Sequence, residues 1–237
     1  MDIAVLSLRE RKIKMFKCQY CGKSFKKENT LAVHLCEQKR RFMQRDEKHV
    51  QLGFRAYQLF YKIGTNTKNE KSYEDFARSQ YYISFCKFGY YCRDIGIDDV
   101  PGYTTWLIKN SVRLDIWGKD KQFTRWMKER LKTESVERGV ERTIIFLQNW
   151  AEENNTVYNR YFSDIAPSLA VFHICSGKIS PWVLFNSTEA QGLIDRLNGE
   201  QLKMITDYLE VDYWQRTMSV NPQDQRWVEG ILGEAGI

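Results

Sequence analysis

The stretch Phe16-Lys17-Cys18-Gln19-Tyr20-Cys21-Gly22-Lys23-Ser24-Phe25, followed by Leu31, His34 and Cys36, decides how this chain is read. The thiols Cys18 and Cys21 stand two residues apart, and the imidazole of His34 follows after twelve more. Sulfur and imidazole donors at that spacing suit a tetrahedral zinc ion. Cys18 and Cys21 bracket a turn, Gly22 relaxes it, and Phe16, Phe25 and Leu31 offer a minimal apolar core. Residues 16–37 therefore read as a hairpin, then a helix. A unit this small does not fold on apolar burial alone, so bound Zn2+ would supply most of its folding free energy.

Three donors leave a fourth position to fill. Positions 38 to 40, where a second histidine would be sought, hold Gln38, Lys39 and Arg40. Cys36 is the nearest remaining donor. Residues two apart on a regular helix point about 200° apart, so His34 and Cys36 can share an ion only where the helix ends or tightens. His49, reached by a bend, is the alternative. Water in that position would open a catalytic centre, which needs a general base and a pocket. The local carboxylates Glu28 and Glu37 read as solvated, and no serine elbow, metalloprotease helix or dinucleotide fingerprint is present.

Charge is concentrated around this stretch. The chain of 237 residues carries +6 overall, yet residues 1–64 hold 15 Lys and Arg against 6 Asp and Glu, and the remainder holds 21 against 24. A localised positive field suits a polyanion, and nucleic acid is the common one inside a cell. The hydrophobic fraction of 43% supports a packed core. No run of about 18 apolar residues exists, so no membrane span is expected. The N-terminal stretch Met1-Asp2-Ile3-Ala4-Val5-Leu6-Ser7-Leu8 lacks a basic leader and a small-residue cleavage site, so a secretory signal is not expected. The 6 cysteines then read as reduced thiols or metal ligands in a cytoplasmic protein.

The fold expected is mainly α, a small N-terminal module followed by a multi-helix domain, with only 4 prolines and 14 glycines to interrupt helices. Residues 1–15 form an N-terminal extension. Residues 38–64 read as one basic linker helix, with Val50, Phe54, Tyr57 and Phe60 or Tyr61 at spacings of three and four. Its first half carries Lys39, Arg40, Arg41, Arg45 and Lys48. The polar stretch 64–69 marks a boundary, and 65–237 is the helical domain. Ser72 with Asp75 resembles a capping box. Pro101 opens a helix near Tyr103. Phe123, Met127 and Leu131 make one apolar stripe, and Val140, Ile144 and Leu147 another. Asn154-Asn155 interrupts, and residues 177–185 read as extended. Asn198-Gly199 turns the chain, and Asn221-Pro222 opens a last helix carrying Trp227, Ile231 and Leu232.

Cys18, Cys21 and His34, with the apolar markers Phe16, Phe25 and Leu31, resemble the first three ligand positions of a C2H2 zinc finger. The resemblance implies a ββα unit whose helix can enter the major groove of DNA. It places Lys27, Asn29, Thr30 and Val33 toward the bases: Lys27 could donate to guanine, and Thr30 and Val33 could touch a thymine methyl. Lys23, Lys26, Lys39, Arg40, Arg41 and Arg45 would meet phosphates. One finger reads about three base pairs, so further affinity must come from the basic helix, a dimer or a partner. The layout also resembles tailed-phage proteins with one N-terminal finger before an aromatic-rich helical body. Phe16-Lys17-Cys18 through Cys36-Glu37-Gln38-Lys39-Arg40-Arg41, and Gly177-Lys178-Ile179-Ser180-Pro181-Trp182, carry that likeness over most of the chain from Met15. It implies expression in a bacterial host cytoplasm and no particular activity.

The function expected is non-enzymatic, zinc-dependent binding of nucleic acid, DNA first, as a phage-encoded regulator or accessory factor. The alternative is an adaptor for a host or phage protein, in which zinc only shapes a docking surface. Two weaker sites remain. Aromatics from Tyr73 to Tyr91, interleaved with Arg78, Lys87 and Arg93, could stack single-stranded bases, although a helical core explains them better. His173 and Lys178 could serve an enzyme if they clustered with acids in a deep pocket.

Overall fold

Helix-start signals written into the sequence set many of the element boundaries. The structure, a computed structural model, describes residues 14–65 and 69–237. Among the described residues it is mainly helical, with fifteen α-helices and a single two-stranded sheet. Two compact units divide between Asp94 and Ile95. The polar stretch 64–69 lies inside the first unit, and its residues 66–68 fall outside the described set. Of the expected N-terminal extension, only Lys14 and Met15 are described.

The first unit begins with β1 (Phe16–Lys17) and β2 (Ser24–Phe25), then α1 (Glu28–Ala32), α2 (Glu37–Met43), α3 (Lys48–Leu59) with a π turn at Phe60–Gly64, α4 (Tyr73–Arg78) and α5 (Tyr82–Ile95). Its core is aromatic. Tyr57 packs on Phe76 at 5.1 Å and edge-on to Phe85 at 5.5 Å, and Phe76 meets Tyr82 at 4.7 Å. The aromatic run from Tyr73 is therefore largely core, although Tyr81 and Tyr90 remain exposed. Helices α3 and α5 touch backbone to backbone where Gly53 faces Gly89. A Cβ on Gly89 would lie 2.0 Å from the His49 carbonyl oxygen, and one on Gly53 2.6 Å from that of Phe85.

Residues 38–64 do not form the single helix expected of them. Helix α2 stops at Met43, and the chain turns through Gln44–Glu47 before α3. Two causes are visible. Gln44-Arg45-Asp46-Glu47-Lys48 holds no apolar residue to continue a buried stripe. The Arg41 carbonyl, which a continuing helix would offer to Arg45, instead accepts from the Tyr73 hydroxyl at 2.6 Å, and the Arg45 amide bonds Phe42.

The second unit holds α6 (Val100–Lys109), α7 (Asp120–Thr133), α8 (Val136–Asn154), α9 (Tyr161–Asp164), α10 (Pro167–Cys175), α11 (Pro181–Asn186), α12 (Thr188–Asp195), α13 (Gly199–Leu209), α14 (Val211–Val220) and α15 (Pro222–Ala235). Local signals read from the sequence are in place. Ser72 and Asp75 form a reciprocal capping box, with Ser72 N–H 2.9 Å from Asp75. Asp99 caps α6 ahead of Pro101, Asn155 ends α8 at φ 51, and Pro222 opens α15. Phe123, Met127 and Leu131 are buried together on α7. In α15 Leu232 is buried, whereas Trp227 stays 42% exposed and Val228 takes the inner position.

The segment 177–185 is not extended. Gly177 turns the chain at φ 72, Ser180 caps α11 and Pro181 opens it. Ser180 also docks on α8, where its amide donates to Thr143 Oγ1 at 2.8 Å. The Ser180-Pro181 pair is the helix-start signal in this segment.

Candidate metal centre

Each ligand candidate is placed by a short local device. Phe16 pairs with Phe25 across the antiparallel β1–β2 ladder. The Cys18 amide donates to the Lys23 carbonyl and the Gly22 amide to the Cys18 carbonyl, both at 2.9 Å. Gly22 adopts φ 75, which an L side chain disfavours, and the turn folds Cys21 back beside Cys18. Helix α1 ends at Ala32, so His34 and Cys36 lie beyond it on irregular chain. The His34 ring rests on Phe25 at 4.8 Å. Cys36 is the N-cap of α2, and its sulfur accepts from the Lys39 amide at 3.4 Å.

The four side chains converge. Cys18 Sγ lies 4.0 Å from Cys36 Sγ, and Cys21 Sγ lies 3.3 Å from His34 Nε2. All four donor atoms fall within 4.8 Å of one another. A tetrahedral ion bound at ordinary sulfur and nitrogen distances sets those separations at about 3.8 Å and about 3.6 Å. The three cysteines are free thiols. This Cys3His group could hold a metal ion, and four protein donors would close its coordination to water. The Cys21 amide lowers the Cys18 thiol pKa against the opposing effect of desolvation. At Cys21 the Lys23 amide favours the thiolate, but desolvation, Cys36 and Cys18 together raise it.

His49 is not part of the group. It is 5% exposed in α3, stacked on Tyr90 at 3.6 Å, with Glu47 3.4 Å away. Burial lowers its pKa first, opposed by the charge of Glu47. Glu28 is exposed, and Glu37 pairs with Arg40 and Arg41 at 3.1 Å each.

The residues expected at nucleic acid fall into two sets. Lys23, Lys26, Lys27, Asn29, Thr30 and Val33 are exposed around the hairpin and α1. The cations of α2 and the following turn are engaged within the unit. Lys39 Nζ donates to the His34 carbonyl at 3.4 Å. Arg41 donates to the carbonyls of Ala77 at 2.8 Å and Ser79 at 3.3 Å and lies over the Tyr82 ring at 4.4 Å. Arg45 lies over Tyr73 at 5.3 Å. The reading missed Tyr20, whose ring meets Phe42 at 5.2 Å while Phe42 meets Tyr73 edge-on at 5.5 Å. An aromatic between the two thiols was the available signal. It also missed Lys17 and Gln38, which with Arg78 border a groove beside the cysteine turn.

In the second unit His173 and Lys178 belong to a structural network. His173 Nδ1 shares a hydrogen bond of 2.8 Å with the Tyr161 hydroxyl. Burial, then the charge of Lys178, pushes the imidazole down to about 4. Lys178 donates to the Gly96 carbonyl, and Asp98 near it is forked onto Arg130 at 2.8 and 3.1 Å. Arg142 binds Glu134 at 2.6 Å and the Lys178 carbonyl at 3.3 Å.

No protein-family model, curated protein or solved structure matches the chain. Among the described residues, no helix is long and apolar enough to cross a membrane.

Proposed function

We propose that Cys18, Cys21, His34 and Cys36 hold one structural zinc ion, and that the C2H2-like module it folds binds nucleic acid, DNA in the first instance. One observation carries the zinc reading. Four soft or borderline donors converge in a segment where, among described residues 14–48, Cys18 alone is buried. Apolar burial cannot account for order there, whereas structural zinc contributes on the order of 10 kcal/mol in such peptides. Three sulfurs and one imidazole favour zinc over harder cations such as magnesium or calcium. The nucleic-acid reading rests on the surplus positive charge of residues 1–64, the stretch of sequence that contains that centre. A closed four-ligand site gives zinc no substrate position, so the role is binding rather than hydrolysis.

A second reading, a protein adaptor, is favoured by the exposure of Val33, Leu35 and Met43 close to the ligands in sequence, at 82%, 58% and 70%. Elemental analysis of purified protein should return one zinc per chain, and Cys36→Ser or His34→Ala should lower it. The zinc-loaded protein should bind random-sequence duplex DNA at low salt, weakening steeply as salt rises. Zinc retention with no binding at low salt would leave the adaptor reading standing alone.

A further inference from the structure

Helix α1 has five residues, a length of about 7.5 Å. That is short against a major groove about 8.5 Å deep and about 12 Å wide. Arg41 of α2 is also poorly placed to serve, since it is spent on Ala77, Ser79 and Tyr82.

Besides Lys23, Lys26 and Lys27, which are exposed around the hairpin and α1, a further surface keeps charge available. The cysteine turn Gln19–Gly22 floors a groove bordered by Lys17, Gln38 and Arg78. On its other side Lys17 shares a recess with Lys39 and His34. Lys17 is exposed and has no ion-pair partner among the described residues. Arg78 reaches Glu74 at 2.6 Å, but both side chains are more than half exposed, at 55% and 58%. A phosphate can replace such a surface pair for under about 1 kcal/mol. Tyr20, which also borders the groove, packs on Phe42 at 5.2 Å.

Resting on the nucleic-acid reading above, we infer that this groove seats the phosphodiester backbone, with Lys17 and Arg78 supplying the charge, and that it reads no base sequence. Gln38 can add a neutral donor. Neither Lys17 nor Arg78 lies on α1, so the seat is separate from the base-facing set Lys27, Asn29, Thr30 and Val33.

The test uses the zinc-loaded full chain and fluorescent random-sequence oligonucleotides, duplex and single-stranded, titrated across salt. Lys17→Ala with Arg78→Ala should reduce the slope of log affinity against log salt by about 1.8 on duplex or about 1.4 on single strand. The charge-preserving pair Lys17→Arg with Arg78→Lys should restore it. Lys27→Ala with Thr30→Ala should leave the slope within about half a unit of wild type and create no sequence preference. Zinc content and far-ultraviolet circular dichroism of each variant report whether the fold is kept. A folded, zinc-replete groove variant with the wild-type slope overturns the inference, as does an α1 variant that loses the greater share of affinity. Wild-type protein that binds neither strand form at low salt overturns the underlying nucleic-acid reading instead, before any variant is compared.

Discussion

Cys36 carries two tasks at one sulfur, standing among the four donors while accepting the Lys39 amide as the cap of α2. Burial sets the state of His173. Its imidazole is held at about 4, below the 6.5 of a free histidine, by desolvation and then by Lys178. The unfolded chain therefore binds more protons between those values. The neutral ring's contribution is complete above pH 6.5 and is lost as pH falls toward 4. Partial exposure limits the effect to about 2 kcal/mol. Urea unfolding at pH 7 and pH 4.5 should show that difference, and His173→Gln should shrink it. An unchanged pH dependence in the variant would assign the effect to other groups. All 7 tryptophans follow Ile95, so their emission reports on the unit that contains His173.

At the level of elements, the crossing of α3 and α5 is set by two glycines. Gly89→Ala puts a methyl 2.0 Å from the His49 carbonyl oxygen, and backbone cannot move aside as a side-chain tip can. The gain in helix propensity is about 1 kcal/mol. The overpacking costs about 1–3 kcal/mol or more, so the net effect should be destabilising. Gly230→Ala is the control: nothing lies within 4 Å of its Cβ position, and the change should stabilise α15 by up to about 1 kcal/mol. Thermal melts of the two variants should move in opposite directions. If both rise, the close approach of α3 and α5 is wrong. No pattern in the sequence distinguishes these two glycines, because the neighbour that decides lies on another helix. The break at Gln44–Glu47 has the same character. Its polar run is visible in the chain, but the Tyr73 hydroxyl that takes the Arg41 carbonyl is contributed from α4.

At the scale of the whole molecule, the hairpin and α1 draw on a different source of stability from the second unit. The second unit buries Trp117, Tyr161, Phe162, Leu147 and Ile174 almost completely, whereas the hairpin and α1 bury only Cys18. Removing metal with a chelator should therefore lower the helical and turn signal in far-ultraviolet circular dichroism while leaving tryptophan emission unchanged. Hydrogen exchange should quicken across residues 16–43 and hold steady in α8 and α11. Loss of the tryptophan signal on chelation would mean that the second unit also depends on the ion.

Spacing and residue type were enough to find the Cys3His group, the mainly helical architecture and several caps, because these depend on neighbours a few residues apart. Paired thiols around a glycine turn fold locally, and a capping box closes over four residues. The identity of the fourth donor, Cys36 rather than His49, needed α1 to end at Ala32 and α3 to carry His49 into an aromatic stack. The commitment of Arg41 to carbonyls of Ala77 and Ser79 likewise came from chain more than thirty residues away. A run of basic residues states how much charge is present. Which of those charges face solvent is a matter of packing, and packing joins residues that the linear order keeps apart.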